Sequence, residues 1–360
     1  MELNLTSAAN ESLLFSNTSS SSPLCFVNER LVKRIPRVLA YLIIIIVSLL
    51  GNTMTVMVVK KGPTRRNCAH VFLANMSLAD LVITVVYMPR MVIRMFYGSR
   101  WLLDGMAGLV SCRGVLFLHH TAILVAVFSI FLITLDRFCA MMFPLKRIMT
   151  KRSALGAICL SWILAGVLRL PFLMSSEVIP SKNYKLVCSP RFSQFFGEIV
   201  SVYRNGLGGV FWFFLALTIV LYIVIISHLF LKKSPGNTKG ATNIRQRAGR
   251  KLLKMLLCIT SSYLVCWFLY FLGIPLFGTN DLPCEVIFIR FFLAHLNCAL
   301  NPCLLACFDL TYRKGYRNIL KGLCCSFQTH LESSLDVSVI AERREDPNGC
   351  PNGYTNDSIA

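Results

Sequence analysis

Long apolar runs, each with few or no charged residues, recur seven times along the chain and are separated by polar stretches. Each run is long enough to cross a hydrocarbon core about 30 Å thick as a helix. The pattern therefore predicts an all-α membrane protein, built as a seven-transmembrane helix bundle. The predicted spans, numbered 1 to 7 in chain order, cover residues 38–59, 71–88, 112–137, 154–174, 207–231, 252–277 and 286–308.

Span 3 carries a distinctive group at each end. It begins at Cys112 and ends at Asp136 and Arg137, and no Asp, Glu, Lys or Arg lies from Gly114 to Leu135. As a helix this stretch would be roughly 37 Å long, which places the cysteine at one membrane face and the Asp-Arg pair at the other. A simpler interpretation is a membrane span whose terminal arginine snorkels to the interface.

After span 7 the apolar residues follow a different periodicity. Apolar residues recur there at three- and four-residue spacing with basic residues between them, which predicts a short amphipathic eighth helix on the membrane surface. Cys324 and Cys325 at its end are candidates for palmitoylation. The predicted parts of the chain are a tail at 1–37, the bundle at 38–309, the amphipathic helix at 310–325 and a polar, disordered tail at 326–360.

The charge distribution changes the interpretation of a strongly basic composition. The chain is 55% hydrophobic and 15% charged, with a net charge of +20. The basic residues cluster in the loops near 60–68, 144–153 and 232–251, none of which contains Asp or Glu. This positive-inside pattern predicts that these loops are cytoplasmic and the N-terminus is outside the plasma membrane. The basic charge then favours contact with inner-leaflet lipid and with a cytoplasmic partner over binding to nucleic acid.

The N-terminal tail agrees with that topology. It has no basic-then-apolar signal peptide with a cleavage site, so span 1 is expected to insert as an uncleaved anchor. Three sequons, at Asn4, Asn10 and Asn17, predict a glycosylated extracellular tail. Of the fifteen cysteines, four fall in predicted extracellular stretches where oxidation is expected. These four are Cys25, Cys112, Cys188 and Cys284.

Polar residues inside the spans indicate a candidate functional site within the membrane. Asp80 lies within span 2, where a charge is costly and usually faces the bundle interior. Asn52, Asn297 and Asn301 lie at similar depth in other spans and could meet it. The functional interpretation is a hydrated or sodium-binding cluster that repacks between states, and the structural one is a hydrogen-bonded knot that holds the helices together.

Short motifs are distributed along the spans. In chain order they are Gly51-Asn52, Leu78-Ala79-Asp80, Trp101, Cys112, Asp136-Arg137, Trp162, Cys188, Cys266-Trp267 and Asn301-Pro302. No single motif is specific, whereas the whole set is. Taken in order, these residues resemble the rhodopsin-like (class A) G-protein-coupled receptors, and the resemblance covers about residues 38–325.

The resemblance implies two disulfides. Cys112 would pair with Cys188 and tie the second extracellular loop to span 3. Several receptors of this family also join the N-terminal tail to the third extracellular loop, which would here pair Cys25 with Cys284. The alternative for the second pair is two unpaired thiols.

The resemblance also implies a switch and its partners. Arg137 would be held by Asp136 in the inactive state and released to face a heterotrimeric G protein. Trp267 would lie beneath the ligand and move with span 6, and Asn301-Pro302 would allow span 7 to repack. Arrestin is the further cytoplasmic partner that the family implies.

Several positions depart from the family pattern. Leu269 replaces the proline that usually kinks span 6, and Leu305 replaces a span 7 tyrosine whose hydroxyl helps stabilise the active state. Tyr222 fits its expected position in span 5. The switch is therefore expected to be unconventional in strength. The other departures are Phe138 for tyrosine, Phe214 for proline, and Ala126 and Cys298 for hydroxyl residues that commonly support sodium.

Two histidines exclude familiar ligand classes by this resemblance. His119 stands where amine receptors carry an aspartate, so an ammonium ligand would lack its counter-ion. His295 stands where opsins carry the lysine that binds retinal, so light sensing is not expected. The ligand is predicted to be something other than an amine or a retinal.

The outer halves of the spans are basic instead. Arginine forks suit carboxylates and phosphates, although each arginine alone could simply snorkel to the interface. The pattern predicts a small peptide or a small anionic molecule as the ligand. The candidate pocket residues are Arg90, Arg94, Arg113, Arg169, Arg204, Arg290, His119, His120, His295 and Trp267.

Two other classes of membrane protein compete with a receptor. A transporter or channel could use the Asp80 cluster as an ion path, but repeated halves are absent from the sequence. A membrane enzyme would need a nucleophile, a base and an orienting group, and neither these nor a His-Glu-His metal pattern can be found. We therefore predict a receptor with no catalytic residues, no metal centre and no cofactor other than sodium near Asp80.

Overall fold

The computed structural model describes residue 26 and residues 29–61, 67–143, 148–181, 185–231, 254–271 and 283–335. Within these ranges seven helices are long and apolar enough to cross a membrane, which confirms the predicted all-α bundle. The number of each span is kept below. The helices are Leu31–Lys61, Cys68–Tyr97, Gly105–Met142, Lys151–Ser175, Gly197–His228, Lys254–Phe271 and Cys284–Phe308.

Several spans are longer than the hydrophobic runs that predicted them. Span 1 begins at Leu31 and not at 38, because basic residues lower the local hydropathy without breaking a helix. Span 2 consists of two helices, Cys68–Val86 and Met88–Tyr97, with Pro89 in the first turn of the second. Proline is tolerated there because the N–H that it lacks would have no partner within the helix. Arg90 and Arg94 therefore lie on a helix that continues span 2.

Span 3 is the central helix of the bundle. Every residue from 121 to 130 is buried, and a helix that is apolar on all sides belongs in such an interior. Spans 1 and 4 lie at the periphery and expose apolar side chains, among them Ile43 and Ile163. These outer faces suit contact with lipid, whereas span 3 runs through the core and links the two ends of the bundle.

A β-hairpin covers the end of the bundle that contains Cys112, here called the Cys112 end. Strands β1 (Ser176–Pro180) and β2 (Leu186–Pro190) pair antiparallel, and Cys188 in β2 forms a disulfide with Cys112. The disulfide agrees with the pairing that the family resemblance implied. The all-α prediction missed the hairpin, which is a short exception among the described residues.

A surface helix, Leu310–Leu335, follows span 7 and begins as predicted. It continues past 325, so residues 326–335 are helical and their assignment to a disordered tail was wrong. Phe327, Leu331 and Leu335 continue the four-residue apolar spacing without a proline or glycine, which favours helix over coil. Residues 336–360 lie outside the described residues.

Two tyrosines attach the surface helix to spans 1 and 2. The Tyr312 hydroxyl lies 2.8 Å from His70 Nδ1, and the Tyr316 hydroxyl lies 2.5 Å from Thr55 Oγ1. Burial raises the pKa of Tyr316 to about 12, so its hydroxyl stays neutral. At Gly315 an added Cβ would lie 2.4 Å from a methyl group of Val58, so glycine allows the close approach to span 1.

Candidate functional site

A chain of polar contacts joins spans 1, 7 and 3 beneath the Cys112 end. The Tyr41 hydroxyl lies 3.2 Å from His295 Nδ1, and His295 Nε2 lies 3.4 Å from His119 Nε2. The ring of Tyr87 stacks on His119 with centroids 3.6 Å apart. The two histidines that sequence reasoning selected are therefore neighbours. Tyr41 and Tyr87 were missed, because each is an ordinary aromatic residue within an apolar run.

Arg90 and Arg94 lie over aromatic rings at the same end. The guanidinium carbon of Arg90 is 4.8 Å from the Trp101 ring centroid and 5.7 Å from that of Tyr87. That of Arg94 is 5.7 Å from the Phe291 centroid. Cation–π contact stabilises each charge by about 0.5–2 kcal/mol, so both arginines are held in defined positions.

Arg290 shares the Phe291 ring and leads towards Trp267. Its guanidinium carbon is 5.4 Å from the Phe291 centroid and 4.9 Å from that of Tyr270. Tyr270 in turn packs edge-on against Trp267, with centroids 5.1 Å apart. Trp267 is almost fully buried. Arg290, Tyr270 and Trp267 thus form a continuous path of contacts from the outer part of span 7 into span 6.

The remaining predicted pocket residues have different surroundings. His120 stacks on Phe172 at 4.0 Å, and Arg169 is buried with Nε lacking a hydrogen-bond partner in the described part of the chain. Arg113 donates from Nε to the Ser176 carbonyl at 3.0 Å, so it fastens the hairpin. The side chain of Arg204 lies outside what the structure describes.

The Asp80 cluster forms at mid-depth, but with a different internal order from the one predicted. Asn301 donates from Nδ2 to Asp80 Oδ2 at 2.8 Å. Asn52 does not bond to Asp80 and donates to the Cys298 carbonyl at 2.9 Å. Asn297 is buried, and its Oδ1 has no hydrogen-bond partner among the described residues. Of the three asparagines predicted to meet Asp80, Asn301 alone bonds to its carboxylate in the described part of the chain.

Hydroxyl groups that sequence reasoning missed link Asn52 to span 2. Asn52 donates to Ser48 Oγ at 3.1 Å, which lies 2.7 Å from Thr84 Oγ1, and Thr84 donates to the Asp80 carbonyl at 2.6 Å. A fourth asparagine, Asn75, accepts from Trp162 Nε1 at 2.9 Å and so ties span 2 to span 4. Serine and threonine occur too often in membrane helices for sequence to mark these.

The two family motifs of spans 1 and 7 are in direct contact. A Cβ added to Gly51 would lie 2.5 Å from Pro302 Cγ. Glycine is therefore required where span 1 meets the proline of span 7. The adjacent residue Asn52 bonds to the span 7 backbone at the same level, which explains in physical terms why Gly51-Asn52 and Asn301-Pro302 occur together.

At the opposite end, here called the Arg137 end, the arginine is held by two partners. Arg137 donates from Nε to Asp136 Oδ2 at 3.0 Å, as the resemblance implied. It also donates from Nη2 to Asn67 Oδ1 at 3.0 Å. Asn67 caps span 2 by accepting a hydrogen bond from the Ala69 N–H. Sequence reasoning missed Asn67, which lies 70 positions from Arg137 in the chain.

Tyr222 joins three spans near the Arg137 end. Its hydroxyl accepts from Thr260 Oγ1 at 3.3 Å and also hydrogen-bonds to the Thr134 side chain. Spans 5, 6 and 3 therefore meet at one hydroxyl. Phe214 leaves span 5 a continuous helix, Val200–Leu231, where the family pattern has a proline.

Some predicted modification sites are only partly covered by the structure. Cys284 is disulfide-bonded, and Phe26 packs against it and Ile287, whereas Cys25 lies outside the described residues. The pairing of Cys25 with Cys284 therefore stays a prediction. Cys324 is exposed, and the side chain of Cys325 is not described. The sequons at Asn4, Asn10 and Asn17 also lie outside the described residues.

Comparison with known proteins agrees with this geometry. The family described as 7 transmembrane receptor (rhodopsin family) matches residues 51–305. The RYamide receptor of Tribolium castaneum is 22% identical over 301 residues, which cover 79% of this chain and 80% of that receptor. The human galanin receptor type 2 is 27% identical over 296 residues, covering 79% and 73%, and the human substance-P receptor is 23% identical over 301, covering 80% and 71%.

The family match spans more than half of the chain and includes the helices that carry the Asp80 cluster and Arg137. It does not favour the transporter or channel alternative, because the Asp80 cluster and the Arg137 contacts occur in a receptor framework. We therefore identify the chain as a G-protein-coupled receptor that belongs to the rhodopsin family of seven-transmembrane receptors.

Proposed function

We propose that this receptor binds a small extracellular peptide at its Cys112 end and activates a heterotrimeric G protein at its Arg137 end. The observation that carries the proposal is that span 3 joins the proposed ligand pocket to Arg137. His119 contributes to the pocket, and Arg137 is held by Asp136 and Asn67 at the other end of the same helix. Peptide binding that favours an arrangement without these Arg137 contacts would shift the population towards it.

The pocket supports a peptide over an amine. The three relatives are named as receptors for RYamide, galanin and substance P. The polar positions of the pocket are histidines and arginines, and His119 in span 3 contacts His295 and Tyr87 without any carboxylate. Aromatic rings with arginines suit peptide side chains and backbone, whereas an ammonium group would lack a counter-ion.

The membrane orientation follows from the loops. Basic residues at 60–68, 144–153 and 232–251 support a cytoplasmic Arg137 end at the plasma membrane, with the glycosylated N-terminal tail outside. The Cys25–Cys284 bridge would then hold that tail over the pocket mouth. An epitope at the N-terminus should be accessible to antibody on intact cells, and one at the C-terminus only after permeabilisation; the reverse result would refute this orientation.

The surface helix binds the inner leaflet. Leu310, Leu320 and Leu323 expose about half or more of their side chains, which suits insertion among lipids. Palmitoyl chains on Cys324 and Cys325 would strengthen that contact. Arrestin is the further partner proposed for the cytoplasmic face.

Asp80 supplies oxygen atoms for a sodium ion. Asp80 Oδ1, Asn297 Oδ1 and Asn301 Oδ1 are buried and have no hydrogen-bond partner in the described part of the chain. A carboxylate and two amide oxygens are ligands that a hard cation accepts. Sodium would supply positive charge that stabilises this arrangement of Asp80, and the thiol of Cys298, which hydrogen-bonds to Asp80, stands where related receptors offer a hydroxyl.

The proposal is tested by recording second messengers in cells that express the receptor during exposure to fractionated peptide libraries. We expect a response that is absent from untransfected cells and is lost in the Arg137→Ala variant. Ion flux that needs neither peptide nor G protein would support the channel alternative and would contradict the proposal.

A further inference from the structure

We infer that the ligand site contains a carboxylate subsite formed by Arg94 and Arg290, the two arginines that share the ring of Phe291. The inference rests on the proposed function for the location of the ligand site at the Cys112 end. It goes beyond that proposal by naming the group that the site recognises and the atoms that bind it.

One aromatic ring lies beside both guanidiniums. The guanidinium carbons of Arg94 and Arg290 lie 5.7 and 5.4 Å from the Phe291 centroid. The attraction of a cation to a ring is electrostatic and needs no hydrogen-bond acceptor. Phe291 therefore attracts both arginines while their hydrogen-bond donors remain available to a ligand.

These two arginines have no anionic partner in the described part of the chain. Neither forms an ion pair, and no hydrogen bond from either side chain to an acceptor is present there. Glu285, which lies on the same helix as Arg290, is paired with Lys33 and Arg37. The site therefore has donors and positive charge without the acceptors that usually accompany them.

Burial distinguishes this arrangement from snorkelling arginines. Arg290 Nε is shielded from solvent and has no hydrogen-bond partner among the described residues. An arginine that had snorkelled to the interface would place its donors in water. A shielded donor without a partner is costly, and a carboxylate oxygen from a ligand would satisfy it.

A third arginine increases the attraction for an anion. Arg94 lies close enough for its charge to repel both Arg90 and Arg290. Arg90 is itself held against Tyr87 and Trp101. Positive groups that repel one another in a region of low dielectric attract an anion strongly, because the anion relieves the repulsion as well as pairing with each group.

The subsite is also connected to the switch. Arg290 lies over Tyr270, and Tyr270 packs edge-on against the buried Trp267. A carboxylate that draws Arg290 towards Arg94 would change the contact that holds Tyr270 against Trp267. Binding of the anion to Arg290 can therefore change the position of Tyr270 in span 6.

A planar carboxylate fits better than a spherical ion because arginine binds it through two parallel hydrogen bonds. Such a group could come from an acidic side chain or the C-terminus of a peptide, or from a small organic acid. The first experiment tests the shared chemistry. Thermal unfolding of the purified full-length receptor in detergent is measured with sodium glutarate, with its neutral analogue glutaramide, and with sodium chloride at equal sodium concentration.

We expect glutarate alone to raise the unfolding temperature of the wild type, by about 2–4 °C near saturation. The shift should vanish in Arg94→Gln and Arg290→Gln. It should persist in the control Arg100→Gln, which removes an exposed arginine from the same end of the bundle. Equal shifts with glutaramide or chloride, no shift in the wild type, or an unchanged shift in both arginine variants would overturn the inference. The wild-type comparison remains decisive if a variant does not fold.

The second experiment separates the two sources. Each peptide that activates the receptor is compared with versions in which Asp or Glu is replaced by Asn or Gln and in which the C-terminus is amidated. We expect one neutralisation to weaken activation about tenfold, and this loss should be absent in Arg290→Gln. Activation by glutarate-like acids with no effect of peptide charge would assign the subsite to small acids. If no glutarate-like acid activates the receptor and peptide potency ignores every charge change, the subsite would be overturned and the proposed function would remain intact.

Failure of the proposed function has a different signature. If no peptide or small acid produces a G-protein response, the signalling proposal fails. The glutarate shift and its loss in the arginine variants would still test the subsite, because thermal unfolding does not require signalling.

Discussion

Arg137 at the end of span 3 donates a hydrogen bond to Asn67 at the start of span 2, with Nη2 and Oδ1 3.0 Å apart. This contact adds a second span to the Asp136–Arg137 pair that the family resemblance implied. If the Arg137 end opens as proposed, a bond between helices must break as well as one within span 3. We therefore propose that the contact helps to set the balance between the inactive and active arrangements.

The first prediction concerns Asn67. Asn67→Ser keeps a helix cap for span 2 but shortens the side chain that accepts from Arg137. Loss of the hydrogen bond should cost the inactive arrangement about 1 kcal/mol, which raises basal signalling about fivefold. Basal second-messenger production at matched surface expression measures this.

The control for this prediction is Asn67→Asp. It retains the acceptor oxygen and adds a negative charge beside the guanidinium, so basal signalling should not rise. Equal basal activity in the Ser, Asp and wild-type receptors would mean that Asn67 does not restrain Arg137.

The limits of sequence reasoning follow from distance along the chain. Apolar runs predicted the seven spans because the hydropathy of each run is a local property of the sequence. The contact of Arg137 with Asn67 joins residues 70 positions apart, and that of Tyr41 with His295 joins residues 254 apart. Such pairs depend on how the helices pack, so no local pattern marks them.

Helix ends were also difficult to predict, for a different reason. Hydropathy falls where Arg90 and Arg94 occur, so span 2 was ended at 88. A helix tolerates long basic side chains well, and the structure continues to Tyr97. The spans were therefore predicted from their apolar cores, whereas Arg90 and Arg94 of the proposed ligand site lie on a charged extension of span 2.

The second prediction concerns the close approach of spans 1 and 7. Gly51→Ala would place a methyl group 2.5 Å from Pro302 Cγ, so one helix must shift. We expect a loss of about 1–3 kcal/mol in stability, seen as a lower unfolding temperature and lower surface expression. Gly156→Ala is the matched control, because nothing lies within 4 Å of its added Cβ. Equal stability of the two variants would contradict the packing argument.

The third prediction concerns the attachment of the surface helix. Tyr316→Phe removes the hydroxyl that contacts Thr55, and Tyr312→Phe removes the one that contacts His70. Each should cost about 1 kcal/mol and speed amide hydrogen exchange in the surface helix. Tyr97→Phe, at an exposed position, should change neither. Unchanged exchange in both test variants would show that the hydroxyls do not hold the helix.

The pKa of Tyr316 predicts how this attachment depends on pH. Burial raises that pKa to about 12 from its ordinary value of 10.0, so the folded receptor favours the neutral hydroxyl. The contribution to stability should be complete below about pH 10 and be lost as the pH rises towards 12. Once the base-catalysed intrinsic exchange rate is divided out, the protection of the surface helix should therefore not change with pH near neutrality, and a change in protection there would contradict the assignment.

The fourth prediction concerns sodium at Asp80. Replacing sodium by N-methylglucamine should lower the unfolding temperature of the wild type, because the ion binds the folded state only. Asp80→Asn keeps an oxygen that can accept from Asn301 but removes the charge, so its unfolding temperature should not depend on sodium. A sodium effect of the same size in Asp80→Asn would place the ion elsewhere.

The release of Arg137 towards a G protein is tested most directly by guanine-nucleotide exchange on purified heterotrimeric G proteins. Wild-type and Arg137→Ala receptors are compared in lipid nanodiscs with an activating peptide. The arrangement of Asp136, Arg137 and Asn67 predicts that the wild type accelerates exchange and that the variant, although it still binds the peptide, does not. Exchange that survives Arg137→Ala unchanged would contradict it.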